Sequence, residues 1–404
     1  MIKKTTKIVL ILILCISGLR LSTAQTADKL MLVIIDGARY TETFGDPTFS
    51  NIPKMRELSQ QGTIISNFVN NNYTYTSRAI PAIWCGAWTN VQSIIYNGSA
   101  TQHAVLPTIF EYYRKQKNAT ADDCVYILPY VSSLWLPSFD SNYGPDYWPK
   151  FYSQGSSDND VFAQTQYVMD NTHPQFLLVY LADVDHYGHS GVWTNYVSAI
   201  QNADRIVGLL WEKLQSDPFY KNSTNLIVTN DHGRHDDQHG GFQRHGCNCD
   251  GCRQIQFLAV GPDIKKNFVS TEYRTILDVA VTAASLLGLQ AEKASGNVMN
   301  EIFNFTAIQN EENPIFEFQS SSPNPFYKGT KIHFYLNNAM PIQLTIYSVS
   351  GKKIKTLVNE WHTKGQKSIE WDGTDNQGQK TSPGIYFYSL QAGSKSISEK
   401  LILL

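Results

Sequence analysis

Three largely apolar runs in this chain each end on a carboxylate. Leu30 to Ile35 leads to Asp36, Phe176 to Leu181 leads to Asp183 and Asp185, and Asn225 to Thr229 leads to Asp231. Runs this apolar belong to strands covered on both faces, as in a parallel α/β sheet. In such sheets ligands and chemistry collect outside the carboxyl ends of the strands. Three runs ending in acids therefore predict one shared site, and an enzyme.

Helical spacing falls between the runs. It covers Ile52 to Gln61 with Pro53 in the first turn, Asn195 to Leu214, and Ile276 to Leu287. Strands alternating with helices predict βαβ units in a mostly parallel sheet flanked by helices, over residues 25–305. At 404 residues there is room for a second domain. The formal charge of -2 carries no bias toward nucleic acid, and no specific nucleic-acid binding is expected. The charge is uneven: from Pro323 onward ten lysines face five acidic residues (+5), against 23 basic and 30 acidic residues before it (-7).

The first residues have a basic start, an apolar run from Ile8 to Ile16 and small residues at Ser22-Thr23-Ala24. This reads as a signal peptide over 1–24, so export is expected. Residues 306–322, rich in Asn, Glu and Ser before Pro323, read as a linker. Beyond it the period falls to two, with turns at Ser350-Gly351, Asp372-Gly373, Gln377-Gly378 and Pro383-Gly384. That pattern predicts a small all-β, Ig-like sandwich over 323–404. Its motifs are Pro323-Asn324-Pro325-Phe326, Ile346 to Gly351, Trp371 to Asp375, Gly384 to Phe387 and the terminal Lys400 to Leu404. They resemble the C-terminal sorting domain of type IX secretion. The resemblance implies that the secretion machinery is a partner, and that the protein is secreted or held at the outer-membrane surface.

Imidazoles gather near the acids: Asp185-His186-Tyr187-Gly188-His189, then Asp231-His232-Gly233, then His235, His239 and His245. Carboxylate and neutral imidazole are the ligands zinc favours. The order Asp, Asp-x-x-Gly-His, Asp-His-Gly, late His-Gly resembles the alkaline phosphatase superfamily, whose cores hold two divalent metal ions, expected here to be zinc. Carried over, Asp36, Asp231 and His232 would bind one ion, and Asp185, His189 and His245 the other, with His239 as the alternative to His245. Asp183 is expected beside the metal shell rather than in it. The family nucleophile maps to Thr76, counted back from Gly86, with Thr74 and Ser77 as alternatives, and Thr76 would also touch the metals. A hydroxyl at a helix start is activated there by metal and by free backbone N–H groups.

Pro81 lies where that helix should continue, which predicts a late start or a bend. Ala79 stands where the phosphodiesterase branch has Asn. Arg78 either clamps a phosphate oxygen or points to solvent. A formylglycine sulfatase needs Cys/Ser-x-Pro-x-Arg, and no such run occurs. Cys247, Cys249 and Cys252 follow His245 closely, and in an exported chain a disulfide is expected there over a structural zinc. The aromatics of Tyr126 to Trp148, among them Tyr130, Trp135 and Tyr143, are expected to pack rather than to stack on a base.

The resemblance, with its Asp36-Gly37-Ala38-Arg39 opening, implies a two-metal phosphohydrolase acting through a threonyl phosphate. A phosphodiesterase or nucleotide pyrophosphatase is favoured, with a phosphate ester or nucleotide as substrate. Phosphomonoester, phosphonate or sulfate ester cleavage is the alternative. A non-catalytic surface binding protein is disfavoured, because all the ligand positions are filled.

Overall fold

The computed structural model describes residues 27–129, 135–304, 316–336, 339–349, 351–392 and 395–404. The expected signal peptide, Tyr130 and residues 306–315 of the expected linker lie outside the described residues. The chain divides into two compact units, Met1–Ala307 and Ile308–Leu404.

The first unit is built on an eight-stranded sheet. In chain order its strands are β1 (Lys29–Ile35), β2 (Thr63–Ile65), β3 (Cys124–Leu128), β4 (Lys150–Ser153), β5 (Phe176–Leu181), β6 (Thr224–Thr229), β7 (Phe257–Val260) and β8 (Phe268–Ser270). In space they run β8-β2-β7-β6-β1-β5-β3-β4. Every pairing is parallel except the two that β7 makes, with β6 and with β2. The three carboxylate-tipped strands are thus neighbours in the middle of the sheet. Ile34 lies opposite Thr229 on one side and Tyr180 on the other, so their ends are level.

Strand alternation sends the residues of β1 to two separate cores. Leu30, Leu32 and Ile34 pack with α2 (Thr76–Cys85), α3 (Ile109–Lys117) and α7 (Asp278–Leu286). Met31, Val33 and Ile35 pack with α1 (Pro53–Gln61), α4 (Asp158–Asn171) and α6 (Trp193–Ser216). A further helix, α5 (Asp183–His189), starts two residues past the end of β5. With both faces covered, an alternating polar pattern has no place in these strands, which is why they read as continuous apolar runs.

α2 begins at Thr76 and runs through Pro81 to Cys85, closed by Gly86 in the left-handed conformation (φ 64°). The expected late start does not occur. The proline removes one amide from the helix ladder, that toward the Ser77 carbonyl. Burial of Ile80, Ile83 and Trp84 holds the helix regardless, each such side chain contributing about 1.5–3 kcal/mol.

The second unit is all-β. Its strands are β9 (Phe316–Ser322), β10 (Thr330–Leu336), β11 (Met340–Ser348), β12 (Lys353–His362), β13 (Gly365–Trp371), β14 (Gly384–Ala392) and β15 (Lys395–Leu403). They form two antiparallel sheets, β9-β10-β13 and β12-β11-β14-β15. Ile332, Phe334, Leu344, Ile346, Trp371 and Tyr388 fill the space between them. Residues 316–322, expected as linker, are instead a strand paired with β10.

Candidate active site

Each acid is delivered by a strand end. Asp36 follows β1 directly and its amide still donates to the Leu181 carbonyl (2.9 Å), which holds it in the sheet. Asp231 and His232 sit just past β6 in a turn fastened by Asn230. The Asn230 side-chain amide donates to the carbonyls of Ala38 and His232 (2.8 Å each), and its oxygen accepts from the Gln256 amide (2.8 Å). Asp36, Asp231 and His232 are all buried, and their donor atoms lie within 4.8 Å of one another.

Asp185 and His189 stand one turn apart on α5. That i,i+4 spacing places both on one face. His189 Nε2 is 3.3 Å from Asp185 Oδ2 and 3.0 Å from His245 Nε2, and His245 Nε2 is 3.4 Å from Asp185 Oδ1. The structure thus brings the second predicted trio together with His245. His239 is exposed and turned to Asp236, with its Nδ1 2.6 Å from the carboxylate. Asp183 is occupied elsewhere, accepting from the Asp158 amide (3.0 Å).

The histidines are set in the tautomer a cation needs. His232 Nδ1 donates to the Gly233 carbonyl (2.9 Å) and His245 Nδ1 to the Thr74 carbonyl (3.0 Å). A carbonyl can only accept, so each Nε2 keeps its lone pair for the site. The two rings stack, with centroids 4.0 Å apart.

The electrostatics point the same way. Burial, then Asp231 and Asp185, push the Asp36 carboxyl well above the usual range. Burial and Asp185 push Asp231 up to about 7. Asp231 Oδ2 is buried with no hydrogen-bond partner. Burial also acts against the charge on Asp185. There it is outweighed by His189, His232, Arg234 and His245, which hold the group well below the carboxylate range. Burial and the neighbouring His232 push His245 down to about 3. Three crowded carboxylates, one oxygen without a partner and three imidazoles form a donor set suited to divalent cations.

Thr76 opens α2 with its hydroxyl at this cluster. Oγ1 is 3.4 Å from each Asp36 oxygen and 3.1 Å from His232 Nε2. The amides of Thr76 and Ser77, at the first two helix positions, have no acceptor within the helix. Thr74 is turned away, its hydroxyl donating to the Cys247 carbonyl (2.8 Å). Arg78 lies over the Tyr73 ring (4.5 Å) and donates Nη2 to the Thr89 carbonyl (3.1 Å). Its guanidinium is engaged there.

Arg234 was not singled out in the sequence. Fully buried, it donates to Asp185 Oδ1, to the Phe242 carbonyl and to the Gln243 carbonyl. It fits only because two glycines leave space. A Cβ at Gly188 would lie 2.5 Å from its Cζ, and one at Gly37 (φ 70°) 2.7 Å from Asp185 Oδ1 and 2.9 Å from Arg234 Nη1. The cue available in the sequence was Gly37 after Asp36 and Gly188 before His189, small residues beside ligands. Tyr180 was also missed; its hydroxyl donates to Asp36 Oδ2.

Of the loop aromatics, Tyr143 packs edge-on against Tyr112, and Trp148 packs against Phe139 and Phe151. The expected disulfide is not formed: Cys247, Cys249 and Cys252 are free thiols.

A family model described as the Metalloenzyme superfamily matches residues 149–291, and one for the FlgD Ig-like domain matches residues 322–396. No curated protein matches the chain. Among solved structures, a 2-O GAG sulfatase is 13% identical with a TM-score of 0.53, over 88% of this chain and 87% of that one. A phosphonate monoester hydrolase from Silicibacter pomeroyi is 12% identical with a TM-score of 0.50, over 93% and 89%. Murine ectonucleotide pyrophosphatase/phosphodiesterase 5 is 16% identical with a TM-score of 0.49, over 68% and 100%. Residues 149–291 are thus similar to the metalloenzyme superfamily and residues 322–396 to an Ig-like domain, and the chain is a metal-dependent enzyme.

Proposed function

We propose that this chain is a phosphohydrolase that cleaves phosphate esters, diesters or nucleotides by preference, with Thr76 as nucleophile. The observation that carries the reading is the Thr76 hydroxyl at the start of α2, facing Asp36 and His232. Asp36, Asp231 and His232 would hold one divalent cation, and Asp185, His189 and His245 a second. When bound, the two ions, for which zinc suits the donors, supply the positive charge that favours an alkoxide and a phosphoryl group.

The chain's own residues do the rest. Thr76 Oγ1 gives its proton to water and bonds to phosphorus while the ester oxygen leaves from the opposite side and takes a proton from water; a second water then splits the threonyl phosphate, its hydroxyl going to phosphorus and its proton to Thr76 Oγ1. The unpaired amides of Thr76 and Ser77 orient the phosphoryl oxygens at the helix start. Tyr180 and the backbone hold Asp36 in place, and Arg234 does the same for Asp185.

A monoester preference is the second reading. It is favoured by Ala79, buried where the phosphodiesterase branch has Asn, and by Arg78 facing Thr89. Rates on an aryl phosphate, a bis-aryl phosphate and an aryl sulfate, with zinc restored, separate the two. We expect the bis-aryl ester to be fastest and Thr76→Ala to lose at least about a thousandfold in kcat. Equal rates for wild type and Thr76→Ala on every ester would sink the nucleophile assignment.

The N-terminal run and the tail motifs support export, with residues 323–404 as a type IX address. The test is fractionation of cells expressing the full chain and a chain ending at residue 322. Retention of the shortened chain inside the cell is expected; equal export of both would remove the address role.

A further inference from the structure

Outside the catalytic cluster, the described residues hold a second set of soft donors. Cys247 Sγ and Cys252 Sγ are 3.7 Å apart. A disulfide holds its sulfurs at about 2.05 Å. Two thiolates on one tetrahedral ion, each about 2.3 Å from it, stand about 3.8 Å apart. Cys249 lies beside them, its amide donating to Cys247 Sγ (3.3 Å), while its own sulfur lies within 4.8 Å of donor atoms of Asp236 and His239. His235 completes the group. A donor nitrogen of its ring lies within 4.8 Å of the Cys247 and Cys252 sulfurs, and both ring nitrogens are buried without a hydrogen-bond partner. A buried imidazole with neither nitrogen satisfied is costly unless something takes its lone pair.

We infer that His235, Cys247 and Cys252, which converge, form with the adjacent Cys249 as fourth ligand a third, structural metal site for a thiophilic divalent cation of the zinc class. His239 and Asp236 also approach Cys249, but they are bonded to each other, and His239 is exposed. Loading releases one proton from each of the three thiols to solvent and leaves His235 neutral. With four protein ligands, the site keeps no open position and does no chemistry.

Its place in the fold says what it holds. The His235 amide donates to the Arg244 carbonyl (2.8 Å) and the Gly233 amide to the Cys252 carbonyl (2.9 Å), so the four donors close the base of one loop. That loop carries Phe242 and Gln243, which accept from Arg234, and His245, which faces the second catalytic trio. Cys247 also accepts from Thr74, two residues before the nucleophile. The site therefore staples the segment that presents His245 and Arg234 to the catalytic centre.

The test uses the full chain and needs no activity. Reloaded with cobalt, wild type is expected to show a near-ultraviolet thiolate-to-cobalt band. That band should vanish in Cys252→Ser and His235→Ala and persist in Asp231→Asn. Metal content should fall by about one ion per chain in the first two variants. Unfolded under chelator without reductant, every cysteine should react with a thiol reagent, six in the full chain. If the variants do not fold, the wild-type spectrum and thiol count decide alone. A missing band overturns the site, and so does a thiol count two short, which would mean a disulfide.

Discussion

Arg234 is the residue on which the second trio leans. It binds Asp185 on one side and two backbone carbonyls on the other from a fully buried position. Arg234→Ala would strand three acceptors and leave Asp185 without its buried cation, a loss of about 3–5 kcal/mol. The measurement is denaturant unfolding of the chelated protein, and Arg234→Lys is expected to recover only part, because one ammonium cannot match the planar fork. An unchanged midpoint in the alanine variant would show that the pair contributes no stability. This residue was hidden in the sequence for a physical reason. One arginine in a loop of glycines, acids and histidines has no periodicity to mark it as buried, whereas Asp36 and Asp231 announce themselves by following apolar runs.

Among the elements, α1 shows how a helix is tied to its neighbour. The Asp204 carboxylate, on α6, accepts from the amides of Lys54 (2.9 Å) and Met55 (2.7 Å), capping α1 from outside, with Pro53 having no N–H to satisfy. Burial pushes the Asp204 carboxyl up from 3.8 to about 6, against the pull of those amides and of Lys54. The folded chain thus keeps the Asp204 proton up to about pH 6, while the unfolded chain gives it up near 3.8. Folding binds more protons in that window, so this group's contribution to stability falls as pH rises from 3.8 to 6 and is level above it. Asp204→Asn should flatten that part of the stability profile, read from urea midpoints between pH 4 and 7. A slope unchanged by the substitution would assign it to other groups. Element existence was legible here: the helices expected over 52–61, 195–214 and 276–287 appear as Pro53–Gln61, Trp193–Ser216 and Asp278–Leu286. Strand direction was not, since β7 is as apolar as its neighbours and an antiparallel central strand needs no different residues.

For the whole molecule, the balance between charge and cation governs stability. Asp36, Asp185 and Asp231 converge, and burial and mutual repulsion raise two of them. Ions that bind only the folded state stabilise it, by about 2.7 kcal/mol at a hundredfold excess over Kd. Chelation is therefore expected to lower the Tm of the first unit by several degrees and zinc to restore it, while the second unit, with its own core, keeps its transition. Scanning calorimetry with and without chelator reads both, and a first-unit transition indifferent to zinc would count against the cation sites. Taken alone, the sequence determined which strands are buried on both faces, where they end, and that acids stand at those ends, because hydrophobicity and period are local properties. Only the tertiary structure decided that His245 rather than His239 meets Asp185 and His189, that Arg78 turns to Thr89, and that His235 converges with Cys247 and Cys252. Those outcomes depend on the path of glycine-rich loops between residues far apart in the chain, and no local pattern records that path.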